Sequence, residues 1–205
     1  MRRWITFFLS SAAVGVMVLS SPQMLGQSKQ TEMEMQSPIV QQVRKKIGGL
    51  TDYDVFDWIT FQVHGSTLVL QGYASRPILK SEAGRVAKDI HGIETVDNEI
   101  KVLPLSPMDN RIRRAVYDKI YRNPALSRYN ANQGGYRSFG GPMMDAVINN
   151  PPIGFHAIHI IVDNGHVTLY GVVDSKGDAT IAKVQADTVS GVFSVNSDLI
   201  VAPKS

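Results

Sequence analysis

Apolar and polar residues alternate along the chain with two periods, and these periods predict helices and strands in a fixed order. After Ser37-Pro38, apolar residues three or four positions apart predict a helix, and strict alternation over residues 56–63 predicts a strand. His64-Gly65 is a predicted hairpin turn, and residues 67–71 return as a second strand. A further helix and a last strand complete the order helix, hairpin, helix, strand.

This order of elements occurs twice, because the chain contains an internal repeat. A shift of 99 positions places residues 61–102 on residues 160–201 without a gap, and most aligned pairs keep their character. The preceding helices align at a shift of 69, so the second copy carries about thirty extra residues, at about 123–155. The repeat predicts an α+β fold of two small α-β-β-α-β sandwiches in tandem, over residues 37–103 and 104–203.

Both copies share a pattern of glycines, alanines and apolar residues that resembles a known family. The segment VTLYGVVDSKGDATIAKVQADTVSGVFSVNSDLIV closely resembles the BON domain, named for bacterial osmotically inducible and nodulation proteins. The shared features are a glycine that closes the hairpin, alanines along the second helix, and a Gly-Val-x-x-Val spacing into the last strand. They are found at Gly171, Ala182, Ala186, Gly191, Val192, Val195 and, one place early, Asn196, and in the first copy at Gly72, Ala83, Ala87, Gly92, Ile93, Val96 and Asn98.

The resemblance carries expectations about function. BON proteins are typically periplasmic or envelope proteins, proposed to bind phospholipid membranes and to support envelope integrity under stress. The thirty-residue insertion and the absence of a lipid-bearing cysteine depart from the better-known tandem members. We interpret Gly72, Gly92, Gly171 and Gly191 as structural residues that permit a bend, a positive φ or close helix–sheet packing.

The N-terminal residues predict export. Arg2 and Arg3 precede an apolar stretch from Trp4 to Leu19, and small residues follow it, which is typical of a secretory signal peptide over residues 1–26. The alternative is an uncleaved membrane anchor, for which the stretch is short. Residues 27–36 are interpreted as a solvated linker. We therefore expect a periplasmic or otherwise exported protein, peripheral on the envelope membrane.

Composition and charge narrow the function further. The chain has no cysteine, which excludes disulfides, thiolate zinc sites, a cysteine nucleophile and a lipoprotein anchor. The formal net charge is +3 and falls to +1 without Arg2 and Arg3, so the protein lacks the charge of a nucleic-acid binder. Residues 105–158 carry seven basic and three acidic residues, which makes this the one basic segment.

Candidate catalytic or metal-binding residues do not form a known constellation. His156 and His159 are three apart in a predicted strand, so their side chains point to opposite faces. Asp52, Asp54 and Asp57 precede the first strand, where a solvated loop competes with a cation site or a catalytic pair. No nucleophile elbow, phosphate-binding loop or dinucleotide motif occurs. We predict neither an enzyme nor a bound cofactor or metal.

The basic segment contains the residues predicted to contact a membrane. In RIRRAVYDKIYR, Ile112, Val116 and Ile120 form an inward line, and the cationic and aromatic residues are expected on an outer face. Guanidinium groups suit lipid phosphates and tyrosines suit the polar–apolar boundary, whereas the alternative is a solvated helix face. With aromatic and basic residues of the insertion, the candidate site comprises Arg113, Arg114, Tyr117, Tyr121, Arg128, Tyr136, Arg137 and Phe139.

These observations favour a non-catalytic envelope protein that binds anionic phospholipid membranes through its second domain. The alternative is a protein-interaction module of the envelope, which docks onto a partner protein or onto a second copy of the chain through the insertion or through exposed strand edges.

Overall fold

The structure, a computed structural model, describes residues 38–130 and 156–203. The first unit consists of α1 (Pro38–Gly48), β1 (Trp58–His64), β2 (Thr67–Ala74), α2 (Pro77–Lys88), β3 (Thr95–Asn98) and β4 (Lys101–Val102). The second unit consists of α3 (Pro107–Tyr121), a 3₁₀ turn at Ser127–Tyr129, β5 (Ile158–Asp163), β6 (His166–Val173), α4 (Lys176–Asp187) and β7 (Ser194–Val201). The predicted signal peptide, the predicted linker and most of the predicted insertion lie outside the described residues.

Each unit has one small sheet. Strands β1 and β2 are antiparallel, and β3 and β4 both run parallel to β2. In the second unit β5 and β6 are antiparallel and β7 runs parallel to β6, in the order β5-β6-β7. This confirms the predicted α+β class with two tandem units.

The repeat is visible in the element bounds. Helices α2 and α4 begin and end 99 positions apart, as do β2 and β6, and β7 spans the equivalent of β3 and β4. Gly72 and Gly171 occupy equivalent positions in the second strand of each unit, at φ +113° and +127°. A Cβ at either position would collide with a carbonyl oxygen of the adjacent strand. Within each unit, this backbone geometry excludes larger residues.

Helices pack on one face of each sheet, and the core of each unit lies between the helices and that face. The core of the first unit consists of Val43, Ile47, Ile59, Leu68, Leu70, Ala74, Leu79, Ala83, Ala87, Ile90 and Ile100. The core of the second unit includes Ile112, Val116, Ile120, Ile158, Ile160, Val162, Leu169, Ala182 and Ala186. Apolar residues at helical spacing on α1 and α3 and at alternating positions on the strands supply both cores, as the pattern predicts.

The segment before β1 differs from the prediction. Phe56 is not the first residue of the strand, which begins at Trp58. Instead, Val55 and Phe56 are buried in the core of the second unit, where the Phe56 ring lies edge-on to Tyr117 with ring centroids 6.3 Å apart. The predicted strand over residues 56–63 is therefore present from Trp58 onward, and only its first two residues lie outside the sheet.

In the described parts of the chain, residues 38–130 and 156–203, no helix has the length and apolar character needed to cross a membrane.

Candidate functional site

Helix α3 does not present the face expected from its sequence. Arg113, Tyr117 and Tyr121 are buried, with Arg113 only 4% exposed, so the prediction that they form an outer surface is wrong. The line of Ile112, Val116 and Ile120 is buried as well. Two adjacent sides of α3 are therefore covered by protein. The side that carries Arg113, Tyr117 and Tyr121 contributes to the stability of the fold and not to an outer surface.

These buried polar groups bind the outer edge of strand β5. Arg113 Nη2 donates to the carbonyl oxygen of Val162 at 2.8 Å, and Tyr121 OH donates to the carbonyl oxygen of Ile158 at 2.5 Å. The amide of Ile160 donates to the carbonyl oxygen of Val55 at 2.8 Å. Because these edge groups are occupied, they are not open for pairing with a strand of a partner protein.

Burial changes the protonation of these groups. Desolvation lowers the pKa of Arg113, and the carboxylate of Asp109 opposes this shift. Desolvation also raises the pKa of Tyr121, so that its hydroxyl remains a hydrogen-bond donor. Both side chains act as structural ties between α3 and β5.

The remaining predicted site residues lie in different places. Arg114 is partly buried on α3, and Arg128 is exposed within the 3₁₀ turn. Arg128 forms ion pairs with Asp174 at 2.9 Å and Asp178 at 2.6 Å, and its guanidinium lies 4.6 Å from the centroid of the Tyr129 ring. This side chain fastens the 3₁₀ turn to the start of α4. Tyr136, Arg137 and Phe139 lie outside the described residues.

The side of α3 that faces solvent carries another set of residues. Met108 and Arg111 are exposed on its first turns, and Lys119 and Arg122 are exposed near its C-terminus. Arg122 forms an ion pair with Asp118 at 3.2 Å, one turn earlier. The exposed side of α3 is thus basic. Its cations are Arg111, Lys119 and Arg122, and not the predicted Arg113 and Arg114.

Apolar side chains are exposed beside the start of α3. Phe193 is 78% exposed and Met108 is 50% exposed, and Leu105, three residues before Met108, is also exposed. The start of α3 meets the loop before β7, because the Met108 sulfur lies 3.6 Å from the position that a Cβ on Gly191 would occupy. We call Leu105, Met108 and Phe193 the apolar tip of the second unit.

The apolar tip is held by hydrogen bonds to the β5–β6 turn. The amide of Phe193 donates to the carbonyl oxygen of Gly165 at 2.9 Å. The amides of Asn164 and Gly165 donate to the two carboxylate oxygens of Asp109, each at 2.9 Å. Asp109 itself lies in the first turn of α3, where the Ser106 hydroxyl accepts its amide hydrogen bond. The position of Phe193 next to α3 is therefore set by the backbone.

The corresponding end of the first unit has a different character. At the shift of 99, Phe193 corresponds to Glu94, whose carboxylate accepts a hydrogen bond from the Ser66 hydroxyl at 3.1 Å. At the shift of 69, Met108 corresponds to Ile39, which is partly buried and contacts Gly92. Only the second unit carries an exposed aromatic residue at this place among the described residues.

The aspartates before β1 are buried, so the expectation of a solvated loop is wrong for two of them. Asp57 is fully buried and accepts hydrogen bonds from the amides of Asp54 at 3.0 Å and Ser75 at 2.6 Å. Asp54 accepts from Arg76 at 3.2 Å, which also pairs with Asp52 at 2.9 Å. Desolvation and the neighbouring carboxylate of Asp57 raise the pKa of Asp54 to about 8, and desolvation raises the pKa of Asp57. The cluster fixes the segment that inserts into the second unit.

The surroundings of His156 differ from those of His159. His159 contacts the rings of Tyr53 and Trp58 from the first unit, and desolvation lowers its pKa to about 4. His156 lies edge-on to Tyr121, with ring centroids 5.3 Å apart. Across the described ranges no three His, Cys, Asp or Glu side chains come together as metal ligands.

Comparison with known protein families identifies the family of both units. The profile of the BON domain matches residues 37–104 and residues 144–203. This chain belongs to the BON domain family. BON domains are generally non-catalytic binding modules, and the proteins that contain them are typically periplasmic or envelope-associated. The second match begins after α3, inside the predicted insertion.

Two solved structures are similar to this BON protein. One is the C-terminal domain of CdsD, a structural protein of the type III secretion system of Chlamydia trachomatis. It is 14% identical, with 82% of this chain and 99% of that chain covered and a TM-score of 0.26. A second structure of CdsD is 15% identical, with coverage of 82% and 94% and a TM-score of 0.26. Among curated proteins, none matches this chain.

Proposed function

We propose that this chain is an exported, non-catalytic BON protein of the envelope, whose second domain docks on anionic phospholipid surfaces. The supporting observation is the apolar tip, where Met108 and Phe193 protrude beside the exposed Arg111. Peripheral membrane anchoring needs two signals, and apolar side chains next to cations supply both. Lys119 and Arg122 extend the cationic side along α3.

The expected energies are modest. Each cation near an anionic surface contributes about 1 kcal/mol, and this contribution falls off within a Debye length. Reversal of Arg111 to glutamate changes the charge by two and is therefore expected to weaken binding about thirtyfold. Burial of the exposed Phe193 ring adds an apolar contribution that salt does not screen.

Liposome co-sedimentation tests this function. We expect the protein to sediment with vesicles that contain phosphatidylglycerol, to remain in solution with phosphatidylcholine vesicles, and to lose binding as salt rises. Arg111→Glu and Phe193→Ser should each reduce binding. Lys45→Glu provides a matched control, because it makes the same charge change on the exposed side of α1, in the first domain.

Two results would contradict the proposal. One is equal sedimentation with neutral and anionic vesicles, and the other is binding that survives both Arg111→Glu and Phe193→Ser. Arg113 is unsuitable for this experiment, because its substitution removes a buried hydrogen bond to Val162 and would weaken binding through the fold.

A further inference from the structure

The two BON domains dock through the outer faces of their sheets, opposite to the faces that carry the helices. Trp58 of β1 stacks on Tyr170 of β6 with ring centroids 5.4 Å apart and an interplanar angle of 6°. Tyr73 of β2 also stacks on Tyr170, at 6.1 Å. Lys101 Nζ lies 2.5 Å from a carboxylate oxygen of Asp163. The first domain therefore contacts the second through one end of the outer face of its sheet, where Trp58, Tyr73 and Lys101 lie.

The same end of the second domain's sheet is exposed and apolar. A shift of 99 takes Tyr73 to Val172 and Lys101 to Ile200. Val172 and Ile200 are neighbours across β6 and β7, and they are 49% and 65% exposed. We call this pair the apolar sheet patch. It continues the interdomain interface, because Val172 lies two residues from Tyr170 on the same face of β6.

We propose that the apolar sheet patch is the docking face for a second copy of this chain, in a two-fold symmetric dimer. Two-fold dimers bring the same patch together from both copies, so each apolar pair would meet an equivalent apolar pair. This inference concerns a surface other than the apolar tip and does not depend on lipid binding.

A head-to-tail arrangement fits the residues less well. The face of the second domain that receives the first carries His159, Asp163 and Tyr170, and its equivalents in the first domain are Thr60, His64 and Gln71. Head-to-tail growth would place the apolar patch of one copy against these polar side chains of the next. Contact with polar groups that gain no partner is unfavourable, so self-association of the patch is preferred.

Charge near the apolar sheet patch predicts the salt dependence of the dimer. Asp198 is exposed on β7 two residues before Ile200, and a two-fold dimer brings two copies of it towards each other. Asp174 is already paired with Arg128. Salt screens the repulsion between the Asp198 side chains, so dimerisation should strengthen as salt rises, which is the opposite of the dependence expected for lipid binding.

Sedimentation velocity over a range of protein concentrations tests the dimer. The protein is purified in the form that the expressing cells produce after any N-terminal processing. We expect a reversible monomer–dimer equilibrium that Val172→Lys/Ile200→Lys shifts by about a hundredfold towards monomer, since each substitution occurs twice in the interface. Val184→Lys is the matched control, because Val184 is 52% exposed on α4 and should leave the equilibrium unchanged.

A cross-linking experiment reports on the contact directly, because the chain has no cysteine. Oxidation of a Val172→Cys variant should yield a covalent dimer, whereas oxidation of Val184→Cys should not. Phe193→Ser should dimerise as the wild-type protein does.

Several results would overturn the proposal: a monomer at every concentration, a dimer that survives Val172→Lys/Ile200→Lys, or a dimer lost in Phe193→Ser. A large fall in the melting temperature of Val172→Lys/Ile200→Lys, measured at a concentration at which the wild-type protein is also a monomer, would overturn it as well, because the patch would then be covered within the chain.

Discussion

The carboxylate of Asp109 joins the first turn of α3 to the turn between β5 and β6, and its removal should be costly. Asp109 is buried and accepts hydrogen bonds from the amides of Asn164 and Gly165, each at 2.9 Å. These turn residues have positive φ angles of 52° and 80°, so that both amides point towards the same acceptor. Asp109→Ala leaves both amides without this partner.

The magnitude follows from the number of hydrogen bonds. Each hydrogen bond to a charged group contributes about 1.5–3 kcal/mol, and a buried amide without an acceptor costs about 1–3 kcal/mol. Alanine also removes the cost of burying a carboxylate, which offsets part of the loss. We expect Asp109→Ala to lower the free energy of unfolding by about 3 kcal/mol.

Urea denaturation followed by tryptophan fluorescence measures this change, because Trp58 lies between the domains. Asp118→Ala is the matched control on the same helix: its ion pair with Arg122 is exposed and contributes less than about 1 kcal/mol. A loss below about 1 kcal/mol for Asp109→Ala, or one equal to that of the control, would refute the reasoning. A variant that remains folded should also bind anionic vesicles less well, since the Asp109 turn positions Phe193.

Three other regions yield predictions. Phe56→Ala should lower the free energy of unfolding by about 3–5 kcal/mol, because the ring fills part of the core of the second domain. Phe193→Ala should change it little, because that ring is exposed, and chemical denaturation of both variants tests the difference. Gly171→Ala should lower the free energy of unfolding by more than about 2 kcal/mol, because φ is positive there and the new Cβ would collide with a carbonyl oxygen. Gly48→Ala should leave it unchanged or raise it, because the space around Gly48 is open. Burial beside a second carboxyl group raises the pKa of Asp54, so its protonation favours folding at low pH and this contribution is lost as pH rises towards 8. Melting temperatures at pH 6 and pH 9 should differ less in Asp54→Asn, and an unchanged difference would contradict the assignment.

Much of the architecture was predictable, because it depends on local patterns that occur twice. The ungapped shift of 99 aligned the hairpin, the second helix and the last strand of both domains, and the bounds of α2 and α4 agree with it. Leu68 and Leu70 are both buried, as alternation along β2 predicts. Such periods record which face of an element is buried, and this is a property of neighbouring residues.

The membrane-contact residues on α3 were not predictable in the same way. Helical periodicity identifies the most apolar side of a helix, and it placed Ile112, Val116 and Ile120 correctly. It does not show whether an adjacent side with tyrosine and arginine is exposed, since these side chains can satisfy buried backbone groups as well as water. Their partners, Phe56 and the outer edge of β5, are distant in the sequence.

The apolar tip and the buried aspartates were missed for a related reason. Phe193 is one apolar residue in a loop, and only its hydrogen bond to Gly165 brings it next to α3. Asp54 and Asp57 have the composition of a solvated turn, but the neighbouring Phe56 enters the second domain and takes them out of water.

The sequence by itself therefore determined the repeat, the order of elements and the inward face of each element, because spacing and turn residues act locally. The tertiary structure alone decided which cations and aromatic residues remain at the surface. Packing of α3 against β5 and against the segment of Val55 and Phe56 buries Arg113, Tyr117 and Tyr121 and leaves Met108, Arg111 and Phe193 in solvent. Exposure depends on contacts between residues that are far apart in the chain, and no local pattern records those contacts.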